Sequence, residues 1–249
     1  MVLDTLNNLY SFGRNDEGQL GFSLVYSKYT KVNGKKILPK PTKIDFFSEK
    51  NITIKNVICG SNFTFVLDVY DLPYSFGDNS CGQLARNTQE YAVNPNPEIA
   101  EYLTDLGIIK KICCGWSHAI MLNNDGEAYV WGNYFKDYKK VCNIHDTLIP
   151  KKIKIEVDDD ATTDYATEKY EEIIINRKET TVNDISSGSN HLAVIILNIS
   201  NKTKELFTWG ANEFVKIKIL SMNVLLISFE DLFKKILLFN VKYKRDKQA

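Results

Sequence analysis

The residues best equipped for chemistry near neutral pH are three histidines, His118, His145 and His191, because imidazole can act as general acid, general base or metal ligand. Two of them share a setting, Gly115-Trp-Ser-His118 and Gly188-Ser-Asn-His191. Catalysis needs a group once per site, so a residue that recurs with a motif serves each copy of that motif, and hydrogen bonding between strands is the expected role. His145 stands beside Asp146 with no triad or metal spacing around it. The cysteines at 59, 81, 113, 114 and 142 form no Cys-x-x-Cys pair, and their odd number closes no disulfide framework, so free buried thiols are expected. Gly13–Gln19 and Gly77–Gln83 have phosphate-loop glycine spacing but lack its Lys-Ser/Thr and open no helix. The chain is therefore expected to hold no catalytic, cofactor-binding or metal residue, to need no cofactor and not to be an enzyme.

What positions these residues is a repeat. Tyr10–Gly21 returns at Tyr74–Ala85 with eight of twelve residues identical, and shorter echoes lie at Tyr129–Gly132 and Phe207–Gly210. Alignment gives an early glycine, Gly60, Gly115 or Gly188, and a late one, Gly13, Gly77, Gly132 or Gly210; where both occur they are 17, 17 and 22 residues apart. Phe63–Leu67, His118–Leu122 and His191–Leu197 follow the early glycines and read as buried strands, being short and rich in branched and aromatic residues. Asn124-Asp-Gly126 marks a hairpin turn, whereas Asp71-Leu-Pro73 reads as a less regular one. Phe12, Phe76, Trp131 and Trp209 precede the late glycines, and their shared position points to packing of each unit rather than ligand stacking. Proline segments Lys40–Ile44, Asn96–Ile99 and Ile149–Ile153 then re-enter as edge strands.

One unit is thus an antiparallel sheet of about four strands. Such a sheet cannot bury both faces alone, and radial stacking around an axis is the physical solution. The expected fold is all-β: a partial β-propeller of about three to four blades over residues 1–213, interrupted by an acidic, solvated insertion at about 156–181. Beyond Asn212 the pattern stops, and Val215–Tyr243 places apolar residues at helical spacing, so 214–249 is expected to be a helical tail. A foreign C-terminus, from truncation or another reading of a longer gene, is the alternative.

Thirty-one basic residues balance thirty-one acidic ones, which argues against nucleic acid as the main partner. Met1–Thr5 opens no signal peptide and no apolar run reaches membrane-spanning length, so an intracellular setting, cytoplasmic or nuclear, is expected without a membrane.

The residues Gly115–His118 and Gly188–His191, the turns Phe12-Gly13-Arg-Asn15 and Phe76-Gly77-Asp-Asn79, and the loop Gly18–Gly21 together resemble the regulator of chromosome condensation repeat family over roughly residues 9–213. Phe63 stands where that family usually has His, Ala85 replaces a Gly, and Asn133–Lys136 lacks the Gly-Gln-Leu sequel. The resemblance implies a propeller, usually seven-bladed, that binds other proteins. Its implied role is a non-catalytic interaction module, with guanine nucleotide exchange on a small GTPase as the rival. Open blade edges should also favour self-association. On this reading Gly13, Gly60, Gly77, Gly115, His118, Trp131, Gly132, Gly188, His191, Trp209 and Gly210 are structural repeat positions.

Overall fold

The stretches after Gly60 and Gly115 are buried end to end: Phe63–Asp68 and His118–Asn123 have no residue with more than a few per cent of its surface in water. A strand buried on both faces has sheets on both sides, and β-sheets stacked in this way make up the computed structural model, which describes residues 1–25, 28–88, 92–133, 148–156, 174–176, 180–200 and 202–210. His145, Cys142, the 133–136 loop past Asn133, most of the acidic insertion and the expected helical tail lie outside them.

The first sheet comprises β1 (Val2–Leu3), β2 (Leu9–Arg14), β3 (Thr30–Val32) and β4 (Lys35–Lys43) in the order β1-β2-β4-β3. The second runs β5 (Ile54–Cys59), β6 (Phe63–Asp68), β7 (Pro73–Asp78), β8 (Val93–Ile99), and the third β9 (Ile109–Cys114), β10 (His118–Asn123), β11 (Ala128–Gly132), β12 (Lys151–Lys152). After a parallel pair, β13 (Lys154–Glu156) with β14 (Ile174–Asn176), the last sheet holds β15 (Thr180–Ser187), β16 (His191–Asn198) and β17 (Lys204–Gly210). Strand pairing within these four sheets is antiparallel throughout. β15 begins at Thr180, so the sheet starts inside the boundary expected for the acidic insertion.

Of the prolines expected to start or edge a strand, Pro41 falls, with Pro39, in the register shift where β2 passes from Ser11 to Gly13, Pro97 lies with Pro95 in the outer strand β8, and Pro150 immediately precedes β12. After β4 and β8 the chain makes one helical turn, α1 (Asp45–Glu49) and a 3-10 turn at Glu101–Leu103, which bury Phe47 and Leu103. These turns had no periodicity to announce them, being shorter than two helical turns.

Three apolar layers separate the four sheets. Leu9, Ile44 and Phe47 of the first unit meet Val66, Tyr74 and Phe76 of the second. Phe63, Phe65 and Leu67 meet Ile112, Met121 and Trp131 of the third, and Ile120, Leu122 and Val130 meet Ile185, Leu192 and Val194 of the fourth. The early strands lie side by side, β5 beside β9 and β9 beside β15, joined by Ser61 N–H to Gly115 O at 3.2 Å, Trp116 N–H to Ser189 O at 2.9 Å and the Lys111–Asp184 ion pair at 2.7 Å. With the early-strand edges of the second, third and fourth sheets lying together, the architecture is a partial β-propeller, all-β as the repeat requires.

Two expectations are corrected. The turn at Asp71 is as regular as its relatives: Asn7, Asp71 and Gly126 stand at one repeat position and adopt φ of 64°, 63° and 78°. Each turn is closed by the residue three before it, Asp4, Asp68 or Asn123, whose Oδ1 accepts from the N–H of Asn8 (2.8 Å), Leu72 (2.9 Å) or Glu127 (2.9 Å). A carboxylate or amide that closes the turn replaces the missing glycine, because Asn and Asp tolerate the left-handed region. The second correction concerns Cys59, which is exposed rather than buried, while Cys81, Cys113 and Cys114 are half-buried.

Candidate functional site

The repeat motif turns out to be the device that joins one sheet to the next. In the first two units an asparagine two residues past the late glycine holds the loop from inside: Asn15 Oδ1 accepts from Leu20 N–H at 2.7 Å, and Asn79 Oδ1 from Leu84 N–H at 2.9 Å. Ser11 and Ser75 donate to the carbonyls of the same leucines at 2.7 and 2.9 Å, so the leucine that ends each Gly-Gln-Leu run is held through both its N–H and its C=O. The glutamine carbonyls then reach across. Gln19 O accepts from Thr64 Oγ at 3.1 Å and Gln83 O from Trp131 Nε1 at 2.9 Å, each donor belonging to the following sheet. A Cβ on Gly18 or Gly82 would come within 2.7 Å of Pro95 Cα or 2.6 Å of Leu148 Cα, which is why these loop positions are glycine.

The same logic accounts for the aromatic residues. Phe76 and Trp131 have no exposed surface, Phe76 lying against the first unit and Trp131 edge-on to Phe65 of the second at 5.9 Å between ring centroids. Phe12 has the same repeat position but is 44% exposed, because among the described residues no sheet precedes the first. The expectation that it packs as its relatives do is therefore corrected. Val2, cross-strand from Tyr10 and 50% exposed, belongs to the same uncovered face.

His118 and His191 each fold their rings over the early glycine three residues before them, and Phe63 does the same over Gly60; in all three places a Cβ would strike the ring. His118 is buried, whereas His191 is exposed. Ser187 donates to Gly188 O at 3.2 Å, so His118 Nε2–H donates to Ser187 Oγ, 2.8 Å away in the following sheet. The residue corresponding to Ser187 one sheet earlier is Cys114, and it packs on the apolar cluster that contains Phe63. The interface between second and third sheets thus carries Phe with Cys where the next carries His with Ser.

Burial, helped by the neighbouring His191, pushes His118 down to about 4 from an ordinary 6.5. An unfolded chain binds the proton near 6.5 and the folded chain only near 4, so unfolding takes up a proton between those values. Acidification through that window is expected to remove about 3 kcal/mol of stability through this group, an order-of-magnitude figure. Urea titrations at several pH values check it: the double variant His118→Phe with Ser187→Cys, which copies the Phe63–Cys114 pair, should lose that part of the pH dependence. Identical pH profiles would refute the assignment.

Among the described residues no group of three His, Cys, Asp or Glu is placed to hold a metal. What the strand ends form is a shallow depression of about 450 Å³ on one rim, lined by Arg14, Gln19, Ser61, Asn62 and Trp116. Arg14 donates to Asn62 Oδ1 at 2.7 Å and pairs with Asp16 at 3.5 Å; Gln19 Nε2 donates to the same Asn62 oxygen at 3.4 Å. Three successive units supply this wall, and Trp116 stands at its edge 55% exposed. Trp116 was not singled out from the sequence; the signal was a tryptophan at a turn position occupied by serine in the two other copies.

The family model described as the regulator of chromosome condensation (RCC1) repeat matches residues 7–67, and a second model of the same description matches residues 109–133. The chain is 26% identical over 222 residues to a Danio rerio protein named "Protein RCC2 homolog", covering 84% of this chain and 39% of that protein. It is 27% identical over 150 residues to the X-linked retinitis pigmentosa GTPase regulator of Canis lupus familiaris, covering 60% of this chain and 14% of that one. Among solved structures, the yeast RCC1 crystallised with Kap60 bound superposes with a TM-score of 0.50 at 18% identity, over 81% of this chain and 39% of that one, a likeness of fold. The chain spans about two fifths of the length of the RCC2 relative. Residues 7–67 and 109–133 thus match the regulator of chromosome condensation repeat, and the sheets they fall in share one interlocking motif.

Proposed function

We propose that this chain is a non-catalytic protein-binding module that works through the rim depression around Trp116. The observation that carries the reading is the exposure of a tryptophan beside an arginine held in place by Asn62, in a fold whose other large rings at the sheet interfaces are buried. Tryptophan and arginine are the residue types that supply most binding energy at protein interfaces, and rim loops are where a propeller presents them. His118, the buried imidazole, is held neutral and engaged with Ser187, so it is unsuited to exchange protons with a ligand. Among the described residues no helix is long and apolar enough to cross a membrane, and the proposed setting is cytoplasmic or nuclear.

Trp116→Ala is the test. It should leave the urea midpoint nearly unchanged, within about 0.5 kcal/mol, and weaken capture of a bound partner roughly tenfold or more. An unchanged affinity would discard the rim as the binding site.

The second reading, nucleotide exchange on a small GTPase, is favoured by one relative being named a GTPase regulator. It predicts that the purified chain speeds release of a fluorescent guanine nucleotide from its GTPase. A chain that binds GTPases without speeding release is a binding module alone. Self-association through the uncovered first sheet belongs to the proposal too, since Phe12 and Val2 are exposed there, and sizing the chain with and without Phe12→Ser tests it.

A further inference from the structure

We propose that the β3–β4 hairpin is a docking edge for an acidic, extended peptide segment of a partner protein, which joins β3 as an additional strand. This surface is separate from the Trp116 rim and the inference stands without that reading.

Charge is the first argument. Between Glu17 and Asp45 the chain carries six lysines, at 28, 31, 35, 36, 40 and 43, and no acidic residue, although the whole chain is neutral. Among the described residues none of Lys31, Lys35, Lys36, Lys40 or Lys43 enters an ion pair. Asp16, the acid that meets the hairpin backbone, is already taken by the Lys36 N–H at 2.9 Å and by Arg14. Lys31 moreover lies directly across from Lys36, a like-charge pair that costs stability in a sheet. An acidic strand alongside would relieve that repulsion.

Backbone geometry is the second argument. Among the described residues β3 pairs with β4 alone, and its three residues are exposed. The N–H of Lys36 is spent on Asp16 and its carbonyl accepts from Asn15 N–H at 2.9 Å, so Lys31 and Lys36 are a non-hydrogen-bonded pair. The N–H and C=O of Lys31 consequently point away from the sheet, available to a further strand. Asn33 and Gly34, with φ of 50° and 77°, close the two-residue turn, and Val32 beside it is 51% exposed, an apolar contact for the incoming side chains. Lysines on an edge strand also discourage pairing with a like copy. An acidic extended segment meets both conditions at once, whereas a nucleic acid would use the charge and leave the β3 backbone idle.

The test titrates the full chain into a fluorescein-labelled peptide of about twelve residues alternating Glu and Thr, read by anisotropy. Three controls accompany it: the Gln/Thr counterpart, a Glu/Thr copy N-methylated at every second residue, and an oligothymidylate of equal length. The Glu/Thr peptide is expected to bind, with every control roughly tenfold weaker or more, and to lose about tenfold in affinity for the chain carrying Lys31→Glu, Lys35→Glu and Lys36→Glu. Should that chain fail to fold, Lys31→Gln with Lys35→Gln, checked by far-UV circular dichroism, must still weaken the peptide. Trp116→Ala must leave it unaffected. No binding of the Glu/Thr peptide, equal binding of the N-methylated copy, equal binding of the oligothymidylate, or indifference to loss of the lysines overturns the proposal.

Discussion

Gly77→Ala is expected to cost about 4 kcal/mol of stability, a large share of what a domain of this kind possesses. Gly77 stands at φ +114°, paired with Phe63 across the β6–β7 hairpin, and a Cβ there would sit on the Asn62 carbonyl oxygen and 2.7 Å from Phe63 Cα. Both obstacles are backbone at the start of the partner strand β6, so neither can swing aside, and relief requires opening the hairpin. Gly132 meets the same wall, 2.8 Å from His118 Cα at φ +79°, and Gly132→Ala should be equally harmful. Gly13 has a similar φ of +106° but nothing within 4 Å of its would-be Cβ. Gly13→Ala should therefore cost only the backbone strain, about 1–2 kcal/mol. Urea denaturation of the three variants gives the comparison directly, and equal losses at positions 13 and 77 would refute the steric account.

Trp131→Ala should cost about 4 kcal/mol as well, by a different route. The ring has no exposed surface, stands edge-on to Phe65 and donates from Nε1 to Gln83 O. Truncation opens a cavity between the second and third sheets and leaves a carbonyl in that layer without its donor. Phe12→Ala, at the same repeat position, should shift stability by no more than about 0.5 kcal/mol, because its ring already faces water. A thermal or urea midpoint for each variant decides the matter. Similar losses would mean that the first sheet is covered after all.

These contrasts show which parts of the fold a sequence can carry. The strands around Phe65, Ile120 and Val194 were legible because a fully buried strand must be apolar along its length. The repeat itself located both glycine anchors. What neighbours do to a residue was not legible: Tyr10–Gly13 and Tyr74–Gly77 are identical in type, and only the presence of a preceding sheet separates an exposed Phe12 from a buried Phe76. The regularity of the turn at Asp71 was missed because turn propensities weigh the residue at the bend, whereas here the carboxylate of Asp68 closes it from outside. Asn33-Gly34 was a signal present and passed over; a two-residue Asn-Gly between strand-forming residues announces a hairpin. The rim depression could not be foreseen, since Arg14, Asn62 and Trp116 meet only after three units have stacked.

The alternation of Phe63–Cys114 with His118–Ser187 also bears on how such a chain can be rearranged. Each junction is keyed: an imidazole slid against Cys114 would face a weak sulfur partner, and a phenyl ring set on Ser187 would strand a hydroxyl beside apolar surface. The second and third units, alike as strands, are not interchangeable modules. Exchanging them in a permuted gene would mismatch both junctions at once, so their order along the chain is written into the chemistry of their seams.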